Sequence, residues 1–144
     1  MSAGESVPTG AEEARAAIAA VLADADEQVR RAESYVAAVE GLRVRGRDRS
    51  GAVVELDHGG GLVDVVVEEH VARAGAEPVR RAVLAAVADA RGRLPERLTA
   101  IAAEAFGPDA ATTAHVREHA EQVFGARRAP RFAAAAGAAD GVLR

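Results

Sequence analysis

The chain of 144 residues contains no cysteine, no tryptophan and no lysine, and aromatic residues make up only 3% of it. Without cysteine, neither a disulfide nor a thiolate metal site can form. With so few aromatic side chains, the stacking platforms that bind single-stranded nucleic acid are not available. No run of about 18 apolar residues occurs, so the sequence predicts no membrane span. These absences argue against a disulfide-stabilised, membrane-spanning or single-strand-binding protein.

The residues that are abundant point to a folded chain with a thin core. Hydrophobic residues make up 49% of the sequence, but alanine supplies much of that share. Because alanine buries little area, we expect the chain to form oligomers. The net charge of −4 argues mildly against a dedicated polyanion binder, and all 18 basic residues are arginine, as a GC-rich coding sequence would give. The acidic N-terminus has no apolar segment typical of a signal peptide, so a cytoplasmic location is expected.

Residues 42–67, LRVRGRDRSGAVVELDHGGGLVDVVV, form the one convincing β region. Three valine-rich alternating runs are separated by glycine-containing turns at 48–51 and 57–61, which predicts a three-stranded antiparallel meander. In the first strand, Leu42, Val44 and Gly46 point to one face, because side chains alternate with period two. The opposite face carries a row of four arginines, Arg43, Arg45, Arg47 and Arg49.

Helical periodicity occupies the remaining segments, so the predicted fold class is α+β, in the order α-β-β-β-α with additional C-terminal helices. Residues 11–40 carry an apolar seam of period 3.5, which is either a stripe facing the chain's own core or a dimer seam. Thr9 and Glu12 predict a capping box at its start, and Gly41 a left-handed cap at its end. Pro95 is expected to end or kink the second long helix, and Asp109 to cap the last one.

The predicted organisation has four parts. Residues 1–10 form a disordered lead, 11–94 the main domain, 95–125 a helical extension and 126–144 a flexible tail. Within the main domain, residues 68–75 are predicted to be a polar connection between the sheet and the second helix.

This order of elements resembles the YbaB/EbfC family of bacterial nucleoid-associated DNA-binding proteins. The likeness is carried by Val44-Arg45-Gly46, by SGAVVEL at 50–56 and by LVDVVV at 62–67, and the helix from Val79 to Leu94 continues it. The resemblance covers roughly residues 12–94. The chain is similar to an actinobacterial-type member of the family with a helical C-terminal extension. The extension after Leu94 departs from the simple family pattern.

The resemblance implies a homodimer whose paired helices grip duplex DNA with weak sequence preference, and it implies a nucleoid-associated location. It implies no cofactor and no catalytic residue, so the chain is not expected to be an enzyme. The helical cations available for phosphate contacts are Arg15, Arg30, Arg31, Arg80, Arg81 and Arg91, and the strand adds Arg43, Arg45 and Arg47. The expected dimer interface comprises Ile18, Leu22, Val29, Val36, Val63 and Val65.

Three alternatives to these assignments stay open. The arginine row could line a phosphate backbone, with a salt slope of about −3, or be a solvated strand face partly neutralised by Glu55, Asp57 and Asp64. The acidic balance and the extra helices favour a non-enzymatic interaction or scaffold module that keeps the fold and has little DNA affinity. Finally, His115-Val116-Arg117-Glu118-His119 fits a short inverted zinc-protease motif, but the sequence shows no third ligand, so no metal site is assigned.

Overall fold

A computed structural model describes residues 9–125 of the chain. Its α+β architecture confirms the predicted order of a long helix, a three-stranded antiparallel sheet and further helices. The elements are α1 (Gly10–Glu40), β1 (Val44–Asp48), β2 (Ala52–Leu56), β3 (Leu62–Val67), α2 (Glu69–Arg73), α3 (Ala76–Phe106), α4 (Ala111–Ala120) and a π-helical turn (Glu121–Gly125). No helix within residues 9–125 is long and apolar enough to cross a membrane.

The sheet has the strand order β1-β2-β3, and each strand pairs antiparallel with its neighbour in sequence. Gly46 pairs with Val54, which in turn pairs with Val65, so these three residues share the core face. The β2–β3 register shifts by a bulge beside Leu56, whose partner is Leu62. The predicted alternation is confirmed in β1 and β2, where every second residue is buried.

Helix α3 covers the core face of the sheet with a stripe of mostly small side chains. The buried residues recur in steps of four, which places them on one face of the helix: Ala82, Ala86, Ala90, Leu94, Leu98 and Ala102. The helix backbone comes closest to β1 at Gly46, where an added Cβ would lie 2.1 Å from the carbonyl oxygen of Ala86. A glycine in β1 and alanines in α3 therefore allow this direct contact between the strand and the helix backbone.

The helix end that Pro95 predicts does not occur, because α3 continues to Phe106. A proline inside a helix removes one backbone hydrogen bond and costs about 3 kcal/mol. Leu94, Leu98 and Ala102 are buried on both sides of the proline, and their burial offsets that cost. The hydroxyl of Thr99 also donates a 2.7 Å hydrogen bond to the Pro95 carbonyl. The predicted boundary between the main domain and the helical extension, at residues 94 and 95, therefore lies inside α3.

Helix α1 buries none of its residues. Its start has the predicted capping box, in which the N–H of Glu12 donates to the Thr9 hydroxyl and the N–H of Thr9 to the Glu12 carboxylate. Its C-terminal part contacts the rest of the chain: Tyr35 and Phe106 have ring centroids 5.3 Å apart. The predicted left-handed cap at Gly41 is wrong, since its φ is −82° and the chain leaves the helix in right-handed geometry.

Helices α2 and α4 also differ from expectation. The segment predicted as a polar connection contains the short helix α2, because Val71 is buried against the core and anchors one turn. Helix α4 begins after Ala110 without a side-chain cap, so the predicted cap at Asp109 is wrong. The buried hydroxyl of Thr113 instead donates to the carbonyl of Gly107 at 2.7 Å. With Ala120 in the core cluster, α4 packs back against the rest of the fold.

Candidate nucleic-acid interface

The arginines of β1 project from the sheet face opposite α3, because Leu42, Val44 and Gly46 occupy the core face. Arg43 donates to the carbonyls of Glu40 and Leu42 at 3.3 and 2.8 Å, near the C-terminus of α1. The guanidinium of Arg45 is 3.2 Å from the carboxylate of Glu55, its neighbour across the sheet. The expected neutralisation by strand acids is thus confirmed at one position of the row.

Two arginines of α3 extend the positive surface beyond the strand. Arg93 and Arg97 lie one helical turn apart and, with the β1 arginines, line an open groove of about 710 Å³. We call this surface the arginine groove; its charged side chains are Arg43, Arg45, Arg47, Arg93, Arg97, Glu55 and Glu96. Arg93 and Arg97 are not among the cations that the sequence predicts for phosphate contacts. Their spacing indicates a shared helix face, but only the packing of α3 on β1 brings that face to the strand.

The groove keeps an excess of positive charge after its internal pairing. Arg93 lies 3.3 Å from Asp89, whereas Arg47 and Arg97 form no salt bridge within residues 9–125. Asp89 also accepts a 2.9 Å hydrogen bond from the backbone N–H of Arg47. That hydrogen bond, and secondarily Arg93, holds the pKa of Asp89 below its ordinary value. Asp89 is therefore ionised at neutral pH and fixes β1 to α3 at the groove.

The arginine pairs on the helices are more fully neutralised. Arg30 and Arg31 lie 2.9 and 3.3 Å from the same carboxylate, Glu27, and their hydrogen bonds lower its pKa. In α3, Arg80 and Arg81 lie 3.2 and 3.9 Å from Glu77. Each pair shares one acid, so each keeps a single net positive charge. These surface pairs are weak and exposed, so a phosphate could displace the carboxylate.

The two remaining predicted cations are far apart in the fold. Arg15 is exposed in the N-terminal half of α1. Arg91 is half-buried, and its guanidinium lies 5.5 Å from the centroid of the Phe124 ring. This cation–π contact directs Arg91 toward the π-helical turn. The structure therefore brings Arg43, Arg45 and Arg47 together, and it leaves Arg15 and Arg91 on separate surfaces.

Most of the predicted dimer residues are solvent-exposed in the single chain. On α1, Ile18 and Leu22 are 60% and 61% exposed, and Val29 and Val36 about half. On β3, Val63 is 48% exposed, but Val65 packs against the chain's own core. A seam along α1 is thus open for contact with another helix.

The histidines of the short α4 motif, His115 and His119, lie on one side of the helix beside His58 of the β2–β3 turn. Within residues 9–125, no group of three or more histidine, aspartate or glutamate side chains is placed to hold a metal ion.

Comparisons with protein-family models, with curated proteins and with solved structures found no match for this chain. The family resemblance therefore stays a prediction. The arginine groove is the structural feature that bears on DNA binding.

Proposed function

We propose that the chain is a nucleoid-associated protein that binds duplex DNA as a homodimer through arginine–phosphate contacts. The observation that carries the proposal is the arginine groove, in which Arg43, strands β1 and β2 and helix α3 together bring five arginines and two glutamates to one surface. A guanidinium presents a planar fork of donors that matches phosphate oxygens, and it stays charged at every accessible pH.

The chemistry of the groove favours contacts with the DNA backbone over recognition of the bases. Its lining includes no aromatic side chain on which a base could stack. Phosphate contacts position a protein on the duplex but carry no direct sequence information. Weak sequence preference is therefore the expected behaviour. The net charge of −4 does not contradict this, because the groove is lined by five arginines and only two acids.

Arg47 and Arg97 are the two groove arginines whose guanidinium groups form neither a salt bridge nor a hydrogen bond within residues 9–125, so we expect them to contribute most. The test is binding to a short duplex across a salt series, by fluorescence anisotropy. For the double variant Arg47→Ala/Arg97→Ala, we expect a salt slope smaller by about two for each groove of the dimer that contacts the duplex, because each lost phosphate contact removes about 0.9 from it. The Lys/Lys double variant keeps both charges and should keep the slope.

The control is the double variant Arg73→Ala/Arg117→Ala, which removes two exposed arginines of α2 and α4 outside the groove. It makes the same change in net charge and should leave the slope close to that of the unmodified protein. Equal losses in both Ala variants would show that binding follows net charge alone and would refute a role for the groove. A folded protein that does not bind duplex at low salt would refute DNA binding altogether.

The homodimer is the part of this proposal that the α1 seam supports. A helix of 31 residues with no buried side chain leaves Ile18, Leu22, Val29 and Val36 in water. Pairing of two such seams would bury them in a coiled-coil contact. In sedimentation equilibrium, Leu22→Glu/Val29→Glu should be a monomer, whereas Ala16→Glu/Ala23→Glu, with the same spacing and charge change at exposed positions off the seam, should leave the dimer intact. A monomeric unmodified protein would refute dimerisation through the α1 seam.

The same seam favours a second function, that of a non-enzymatic interaction module. Asp26, Glu33 and Glu40 recur every seven residues beside the apolar seam, which is where a partner helix would place its flanking charges. A basic amphipathic helix of another protein would complement them. This function predicts no duplex binding at low salt from a folded protein, together with saturable binding of such a helix that Leu22→Glu abolishes.

A further inference from the structure

An apolar cleft of about 470 Å³ lies on the side of the molecule away from the arginine groove's lining residues. Four parts of the chain form it: the C-terminal part of α1, the β2–β3 turn, α3, and α4 with the π-helical turn. Its size is within the range of about 300–1,000 Å³ that is usual for small-molecule sites. The elements come from distant parts of the sequence, so only the folded chain has this site.

The wall of the cleft is made of apolar side chains from three helices and the π-helical turn. Val39 and Leu98 line it from α1 and α3, and Val116 lines it from α4. The π-helical turn adds Val123 and Phe124. Such turns are rare in proteins and are frequently found at functional sites. Here the wider turn sets two adjacent apolar residues into the wall.

Phe124 is held in place from two sides. The Arg91 guanidinium lies 5.5 Å from the centroid of its ring. On the turn side, an added Cβ at Gly60 would be 3.0 Å from the ring, and Gly60 has a φ of +79° that disfavours other residues. The β2–β3 turn thus packs tightly against the ring, and the cleft has one wall that is fixed by the sheet.

The ionisable lining side chains are three histidines and one tyrosine: His58, His115, His119 and Tyr35. No carboxylate lines the cleft, although the chain has 22 acidic residues. Two of the histidines, His115 and His119, are one turn apart on α4 and line the cleft together with His58. An imidazole N–H donates hydrogen bonds, and protonation makes the ring a cation. The polar part of the cleft is therefore suited to an anion.

The other charged groups near the histidines come from four elements. Asp57 belongs to the same turn as His58, but its carboxylate accepts hydrogen bonds from the N–H groups of Gly59 and Gly61 at 3.0 and 2.7 Å. Glu118 and Glu121 follow His115 in the chain and are exposed, but they do not line the cleft. From α3, Arg91 adds a positive charge behind Phe124.

We propose that this cleft binds a small apolar carboxylate, such as a medium-chain fatty acid. Its hydrocarbon part lies against Leu98, Val116 and Val123, and its carboxylate accepts hydrogen bonds from His58, His115 and His119. The site is separate from the proposed DNA-binding groove, and its occupancy does not depend on DNA binding. A bound carboxylate would join α4 to α1 and to the β2–β3 turn.

Octanoate is the probe, and isothermal titration with the full-length protein is the measurement. We expect saturable binding of octanoate that is at least about threefold tighter at pH 6 than at pH 8, because a protonated imidazole attracts a carboxylate more strongly than a neutral one does. Octan-1-ol has the same chain without the charge and should bind more weakly and independently of pH. Acetate, the headgroup alone, should not bind measurably.

Two variants locate the probe. Val123→Trp fills the cleft from a position that is 46% exposed, and it should weaken octanoate at least about tenfold. The matched control is Val21→Trp, the same change at a residue 68% exposed on α1 and outside the cleft, which should bind octanoate normally. His58→Gln/His115→Gln/His119→Gln should remove the pH dependence, and circular dichroism checks that each variant is folded.

Several results would overturn the proposal. One is the absence of octanoate binding up to about 10 mM. A second is octan-1-ol binding that is as tight as octanoate binding at both pH values, and a third is full affinity in folded Val123→Trp. A fourth is octanoate binding that disappears when the protein is concentrated into a dimer, which would show that a second copy occupies the cleft. If the protein does not bind duplex DNA but binds octanoate as expected, the proposed DNA-binding function is refuted and the proposed carboxylate site is supported.

Discussion

The contact between β1 and α3 makes Gly46→Ala the sharpest test of how the core is built. The new Cβ would lie 2.1 Å from the Ala86 carbonyl oxygen, 2.4 Å from the Ala90 nitrogen and 2.7 Å from the Ala90 Cβ. The two nearest atoms are helix backbone, which no change of rotamer can move. The strand and the helix must therefore separate by about 1 Å to reach ordinary contact distances.

That separation affects every buried residue along the α3 stripe. A gap of 0.5–1 Å loses about a quarter to a half of the dispersion energy of the atoms that face it. Overpacking costs about 1–3 kcal/mol where side chains can yield. Because a whole helix must move here, we expect about 3–5 kcal/mol, a large part of the 5–15 kcal/mol that typically stabilises a domain.

The assay is urea unfolding followed by circular dichroism at one fixed protein concentration, so that any association affects all variants equally. The matched control is Gly92→Ala, which makes the same chemical change in α3 with nothing within 4 Å of the new Cβ. It should stabilise the protein by about 0.5–1 kcal/mol, because alanine loses less conformational freedom in a helix than glycine does. The two substitutions should therefore have opposite signs.

A second control separates backbone from side-chain contact. Trimming Ala90 to glycine in the Gly46→Ala background removes the 2.7 Å contact but leaves the two shorter ones, so it should not restore stability. The close approach of strand and helix backbone is refuted by either of two results. One is a free energy of unfolding for Gly46→Ala within about 1 kcal/mol of that of the unmodified protein, and the other is recovery of the lost stability when Ala90→Gly is added.

Three further predictions concern single contacts. The lowered pKa of Asp89 means that its stabilising effect is present above its unfolded pKa of about 3.9 and is lost as the pH falls through the lower folded value. In urea unfolding at several pH values, Asp89→Asn should therefore lose less stability than the unmodified protein between about pH 5 and pH 2; an identical decline would contradict this. Pro95→Ala restores a helical N–H and should raise the free energy of unfolding by about 1–2 kcal/mol, whereas a loss would mean that the proline ring itself packs favourably. Thr113→Val removes the buried hydrogen bond to Gly107 and should cost about 1–2 kcal/mol, with hydrogen exchange rising first in α4; unchanged exchange there would show that the hydrogen bond does not hold the helix.

The sheet was predictable because its signals are local. Alternating side chains in Val44–Asp48 and Ala52–Leu56 and glycine-containing turns between the strands are readable within a few residues of sequence. The capping box at Thr9 is equally local, since two residues three apart complete it. The order of elements and the two faces of β1 followed from these signals.

The errors come from positions where tertiary packing outweighs local preference. Pro95 favours a helix end, but the buried Leu94 and Leu98 continue the helix through it. Val71 gives no helical periodicity by itself, yet its burial anchors α2. Arg93 and Arg97 join the β1 arginines only because α3 crosses that strand. No spacing within the sequence contains this information.

The two free edges of the sheet differ in how they are covered, and this difference limits how the chain can assemble. At β1, the N–H of Arg47 is held by a carboxylate from another element, Asp89 of α3. At β3, the N–H of Val65 meets only the adjacent Asp64, whose exposed side chain can rotate away. The edge of β3 is thus the more open of the two to a strand from another molecule. Two copies joined there by a twofold axis would leave only their β1 edges, where Asp89 occupies the N–H of Arg47, so strand addition beyond a closed pair is opposed.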